Sequence, residues 1–195
     1  MKALVVYCHP CEESFNAAVR DTAIRTLEDK GHDVRLLDLY KEGFNPVMSA
    51  EERRCYNDKD CNIDPVADQL ELIRWADMLV FVYPTWWFGL PAMLKGWLDR
   101  VWIPHETFQL PEGKGPLKGC MENVKKIAIV TTCGATWLQS KVVGEPGRKT
   151  IARGLRFLCC PNCSTLYLAH YKMDASTPQS RKGFLTKVER KLAHL

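Results

Sequence analysis

His9, Ser14, Phe15 and Asn16 stand together in the stretch His9-Pro10-Cys11-Glu12-Glu13-Ser14-Phe15-Asn16, just ahead of an amphipathic segment. Ser14 and Asn16 set a hydroxyl and an amide beside the free backbone N–H donors of a helix N-terminus, a combination suited to phosphate. The plainer reading is N-capping by Ser14. A second stretch, Tyr83-Pro84-Thr85-Trp86-Trp87-Phe88-Gly89-Leu90-Pro91, brackets three aromatic residues between prolines and could wall a flat ring. Core packing under a long loop is its alternative. The third, Thr131-Thr132-Cys133-Gly134-Ala135-Thr136-Trp137, joins small residues and a glycine that permit close backbone approach to a ligand. No G-x-G-x-x-G or Walker pattern occurs, so dinucleotide-Rossmann and NTPase readings have no support.

Each stretch follows an apolar run of the kind that forms a buried parallel strand. Ala3–Cys8, Val34–Leu39, Met78–Tyr83, Lys126–Thr132 and Ser164–Ala169 are the five predicted strands. Between them lie predicted helices: one carrying Phe15, Ala18, Val19, Ala23 and Leu27, then Asp64–Ala76, Pro91–Trp102, Gly147–Cys159 and Pro178–Leu192. Ser49 and Glu52 have capping-box spacing for a further short helix. Strands alternating with helices give an α/β fold, a parallel sheet covered on both faces. The flavodoxin-like strand order 2-1-3-4-5 follows, with ligands expected beyond the strand C-termini where strands 1 and 3 part. All three stretches would then meet on one side of the sheet.

The 195 residues suit one domain spanning 1–195, with 46% apolar and 26% charged side chains. A net charge of +4 gives no reason to expect nucleic-acid binding. No apolar run approaches the ~20 residues of an integral membrane segment, and Met1–Tyr7 is too short for a signal peptide. The expected location is the cytoplasm, where nine cysteines would be reduced thiols.

Taken together, His9 through Ser14-Phe15-Asn16, Asp38-Leu39-Tyr40 with Phe44-Asn45-Pro46, and Trp87-Phe88-Gly89-Leu90-Pro91-Ala92 through Lys95-Gly96-Trp97 resemble the NAD(P)H:quinone oxidoreductases of the DT-diaphorase type. Thr131-Thr132 fits the same pattern, and the resemblance runs from Lys2 to about Thr136. It implies a homodimeric flavoprotein that takes hydride from NADH or NADPH and passes it to a quinone-like acceptor by alternation. FAD is the implied cofactor, with FMN as alternative. His9, Ser14, Phe15 and Asn16 would hold the flavin phosphate end. Pro84, Thr85, Trp86, Trp87 and Phe88 would border the isoalloxazine ring, and Thr131, Thr132, Cys133 and Gly134 its other edge. Trp87, Phe88, Phe108 and Gly134 are the pocket candidates. Two departures stand out: Phe108 and Leu110 fall where the family has pocket tyrosines, and only His105 lies near its pocket histidine.

Cys8-His9-Pro10-Cys11 has the form of a thioredoxin-like dithiol, and the same fold serves flavodoxin-type electron carriers or a regulatory flavoprotein subunit of a potassium-efflux transporter. Cys160-Pro161-Asn162-Cys163 lies too far from the first pair for a zinc finger, so no metal is expected. Met93, Leu94, Trp97, Leu98, Val101 and Trp102 form a wide apolar stripe on the 91–102 helix, read as a homodimer contact.

Overall fold

A computed structural model describes every residue except Glu112 and Lys114. Its centre is a five-stranded parallel sheet built from β1 (Lys2–Tyr7), β2 (Asp33–Asp38), β3 (Met78–Thr85), β6 (Lys126–Cys133) and β7 (Ser164–His170). They lie in the order β2-β1-β3-β6-β7, which is 2-1-3-4-5 counted along the sheet. A separate two-stranded ladder pairs β4 (Phe108–Gln109) with β5 (Lys118–Gly119). The apolar runs are buried on both faces: every residue from Ala3 to Cys8 and from Met78 to Tyr83 is essentially inaccessible.

Strand alternation divides the core. Val5, Tyr7, Val80, Val82, Ala128 and Val130 face α1 (Phe15–Asp29) and α7 (Pro178–Leu192). Leu4, Val6, Leu79, Phe81, Ile127 and Ile129 face the side covered by α3 (Ala67–Trp75) and α4 (Ala92–Val101). The α4 stripe is used within the chain. Leu94, Trp97, Leu98, Val101 and Trp102 are buried, with the Trp97 ring edge-on to Trp102 at 4.8 Å and Phe81 at 6.3 Å. Its width therefore reflects packing against both the sheet and the following loop, and it leaves little apolar surface for a second copy. Gly96 explains the Lys95-Gly96-Trp97 spacing: a Cβ there would lie 2.2 Å from the Pro46 carbonyl oxygen, so Phe44-Asn45-Pro46 packs directly on the helix.

Three features were not foreseen. The region after β6 contains α5 (Trp137–Val143), capped by Thr136 with Gln139 in a capping box, and α6 (Pro146–Lys149). The predicted helix Gly147–Cys159 is instead α6 followed by a π-helical segment, Thr150–Leu155, and a 3-10 turn, Arg156–Leu158. The expectation of nine reduced thiols is corrected as well. Cys55, ending α2 (Ala50–Cys55), forms a disulfide with Cys61, their Cα atoms 5.7 Å apart. The two were overlooked because their spacing matches no framework, and the turn between them brings the side chains together.

Candidate functional site

The register of the sheet ends β3 and β6 at one level, with Tyr83 opposite Thr131, Pro84 opposite Thr132 and Thr85 opposite Cys133, while β1 stops earlier, its last residue Tyr7 opposite Val82. Beyond those ends the loops enclose a cavity of about 400 Å³. Its first wall is His9, Ser14, Phe15 and Asn16, its second Pro84 to Trp87, and its third Thr132 with Gly134. Ten of the candidate residues thus come together. Phe88 and Cys133 line a narrower cleft behind Thr85, Thr131 is buried, and Phe108 lies away on β4. Alternation along β6 is the reason: Thr132 turns to the cavity, and Thr131 and Cys133 turn to the opposite face.

Polar contacts tie the three loops together. Ser14 caps α1, accepting from the Ala17 N–H at 3.2 Å. Behind it, the Phe15 and Asn16 N–H groups open the helix without an intrahelical acceptor. Asn16 is buried and donates from Nδ2 to the Thr132 hydroxyl at 2.9 Å, yet its Oδ1 is buried with no partner. The Thr85 and Thr131 hydroxyls share a 2.8 Å hydrogen bond between β3 and β6. His9 accepts the Cys11 N–H at Nδ1, and burial lowers its pKa, which keeps the ring neutral at pH 7.

The aromatic loop has an unusual backbone. Trp87 and Phe88 are consecutive residues in the left-handed region, at φ 50 and 60, and the turn is closed by the Gly89 N–H on the Trp86 carbonyl at 3.0 Å. Trp87 is 95% exposed. Gly147 of α6 supports the turn from beneath, since a Cβ there would come within 3.1 Å of Gly89 and 3.2 Å of Leu90.

Two lining residues were missed by the sequence reading, Met173 and Asp174. They follow β7, and the strand-end rule applied to the fifth strand would have found them. The Asp174 carboxylate lies where a side chain at 134 would have to go, with Oδ2 2.7 Å from the position of a Cβ on Gly134. Arg181 of α7 sits with its guanidinium 6.0 Å from the Phe15 ring.

The dithiol reading does not fit the geometry. Cys8 is fully buried and its thiol is pushed up to about 12 by burial, while Cys11 is exposed. Among the described residues no group of three or more His, Cys, Asp or Glu side chains is placed to hold a metal ion, and no helix is long and apolar enough to cross a membrane.

The family described as having the flavodoxin-like fold matches residues 1–157. The chain belongs to that family. NAD(P)H dehydrogenase [quinone] 1 of Cavia porcellus is 32% identical over 158 residues, covering 71% of this chain and 56% of the relative. Across the first relatives the chain spans about half their length, from 44% to 56%. Among solved structures, a Streptococcus mutans protein superposes with a TM-score of 0.85 at 28% identity, covering 100% of both chains. An NAD(P)H:quinone oxidoreductase of Methanothermobacter marburgensis gives the same TM-score at 23% identity, covering 99% of this chain and 98% of its own, and shares the fold. The resemblance seen in the sequence to quinone oxidoreductases is therefore borne out in the relatives' names, and the flavodoxin-like order in the sheet.

Proposed function

We propose that residues 1–195 form one flavin-binding domain that oxidises NAD(P)H and reduces a quinone or similar acceptor in the cytoplasm. The observation that carries this reading is the convergence of three strand-end loops on one cavity lined by Asn16, whose buried Oδ1 has no partner. A buried acceptor left unpaired is costly, and a ligand N–H or hydroxyl in the cavity would satisfy it. The donor set fits a flavin: free helix N–H groups for a phosphate, hydroxyls at Ser14 and Thr132, and an aromatic turn for a ring.

A bound flavin supplies the two-electron transfer between NAD(P)H and acceptor. The chain supplies position. Ser14 and the start of α1 would hold the phosphate end, Pro84 to Trp87 would border the ring with Phe88 packed behind Thr85, and Thr132 with Gly134 would meet its other edge. Thr131 acts through the Thr85 hydroxyl it fixes. Trp87, exposed on the cavity wall, would offer its indole to one face of the ring. The neutral His9 ring adds no positive charge there.

FAD is the proposed cofactor and FMN its alternative. A homodimer also belongs to the proposal. Because α4 is consumed by the core, the contact is assigned to α5, where Trp137, Leu138, Val142 and Val143 are all at least half exposed. Light scattering of the wild type and of Leu138→Glu tests that contact.

The test of function is the visible spectrum and released-cofactor mass of the purified protein, followed by NADPH addition without air. Absorbance near 450 nm that bleaches, and turnover when a quinone is added, are expected. A colourless protein that takes up no added flavin overturns the reading. A flavin that bleaches without quinone turnover favours the electron-carrier alternative.

A further inference from the structure

Between α5, α6 and β7 lies a second cavity, of about 430 Å³, walled by Lys141, Arg148, Lys149 and Arg153 together with Glu145 and Thr165. Four cations and one carboxylate therefore line it. Glu145 is buried, in the left-handed region at φ 50, and accepts from Lys141 Nζ at 2.6 Å, Arg148 Nη1 at 2.8 Å and the Tyr171 hydroxyl at 2.9 Å. Burial works to raise its pKa, but the three donors outweigh burial and keep the group ionised. Glu145 thereby fixes two of the cations. Arg148 is clamped from its other side, its guanidinium 4.7 Å from the Tyr167 ring centre. Lys149 and Arg153 take part in no ion pair among the described residues.

The cavity thus combines a preorganised arginine, a hydroxyl at Thr165 and a positive charge that its own carboxylate leaves uncompensated. A dianion with several acceptor oxygens matches that set better than a halide or a single carboxylate, because guanidinium forks and ammonium groups pair well with phosphate. A phosphate monoester carries nearly two negative charges at pH 7. Glu145 and Arg148 also line the narrow cleft that holds Thr85, Phe88 and Cys133, so this cavity abuts the back of the candidate flavin site.

We propose that the Lys141–Arg153 cavity is a binding site for a phosphate monoester. Two sources share that chemistry: the 2′-phosphate of NADPH, which rests on the function proposed above, and a free phosphorylated metabolite, which does not.

The experiment is calorimetric titration of the purified protein with inorganic phosphate and with adenosine 2′-monophosphate, in the wild type and in Lys149→Gln/Arg153→Gln. Both side chains are exposed, so the variant is expected to melt with the wild type. Saturable binding that weakens at least tenfold in the variant is the expected result. No saturable binding in the wild type, or equal affinity in both proteins, overturns the proposal. Steady-state kinetics then identifies the source. A KM for NADPH raised about tenfold, with that for NADH unchanged, assigns the site to the nucleotide. Unchanged kinetics alongside lost phosphate binding assigns it to a free monoester. The titration needs no flavin, so a protein that binds phosphate but no flavin would overturn the functional reading and leave this site standing.

Discussion

Replacing Asn16 by alanine separates the two roles of that side chain. The native amide makes one buried bond, to the Thr132 hydroxyl, and leaves Oδ1 unpaired. A typical internal hydrogen bond contributes about 1 kcal/mol net, and an unpaired buried acceptor costs about 1–3 kcal/mol. In the flavin-free protein the alanine loses the first and removes the second, while the Thr132 hydroxyl becomes the new unpaired group. The terms nearly cancel, so the stability change should stay near 1 kcal/mol or less. For a chain of this size that is a melting shift of about 2–4 °C at most. In the flavin complex the balance differs. If the ligand satisfies Oδ1, the variant loses that bond as well, and affinity falls by about 1–2 kcal/mol, roughly 5- to 30-fold. Fluorescence-quenching titration of the flavin-free protein measures the affinity, and a thermal melt measures the stability. Equal flavin affinity in both proteins would refute the reasoning about Oδ1. A stability loss above about 3 kcal/mol would show that the amide is a structural tie first.

Gly96→Ala should destabilise by about 1–3 kcal/mol through overpacking, since its Cβ meets the Pro46 carbonyl at 2.2 Å; an unchanged melt would mean that Phe44–Pro46 does not rest on α4. Reducing Cys55–Cys61, or substituting Cys55→Ser, should cost about 2 kcal/mol by the chain-entropy relation for so short a loop, and intact mass without reductant should be two hydrogens below that with it. Iodoacetamide at pH 8 should label Cys11 and spare Cys8, whose buried thiol stays protonated at that pH; peptide mapping reads the ratio. Burial lowers the pKa of His9, His32 and His170, so the unfolded chain binds protons that the folded one refuses once pH drops below the unperturbed value near 6.5. Stability is complete above that value and is lost as pH falls toward the folded pKa values. The urea midpoint should drop between pH 7.5 and 5.5, and His170→Gln should reduce the drop.

The sheet was legible because each of its strands is a short apolar run, and a strand buried on both faces needs nothing subtler. Strand order alone fixes where the loops meet, so residues as far apart as Asn16 and Thr132 are brought to one place by topology. Within a loop the resolution fell by one residue. Thr131, Thr132, Cys133 and Gly134 are continuous in sequence, and the two-residue period sends only half of them to the cavity. Asp174 was invisible for another reason: it belongs to a 3-10 turn, Met173–Ala175, with no periodicity to mark it. The α4 stripe shows the limit of reading surfaces from amphipathicity. Six apolar residues looked like surplus because the partner that covers Trp102, the loop carrying Tyr56 and Asn62, has no strong pattern of its own. Tyr56 donates to the Trp102 carbonyl at 2.7 Å and Asn62 to the Pro104 carbonyl at 3.0 Å.

The aromatic loop joins energetics to function most directly. Two adjacent non-glycine residues in the left-handed region cost about 1–3 kcal/mol each, and nothing in the loop's own hydrogen bonding returns that much: one Gly89–Trp86 bond closes the turn. Burial returns nothing at Trp87, which is almost wholly in solvent, and only part at the half-buried Phe88. The conformation is held from outside, by Gly147 packed against Gly89 and Leu90 with no room for a Cβ. Gly147 directly follows the Glu145–Pro146 turn, where Lys141, Arg148 and Tyr171 converge on a buried carboxylate. The charged hub and the strained turn are therefore one mechanical unit, with the hub fixing α6 and α6 fixing the turn. An exposed tryptophan kept in an unfavourable backbone by a buried ion network gains nothing for the isolated chain. It becomes intelligible when Trp87 is the face on which a flat ligand rests.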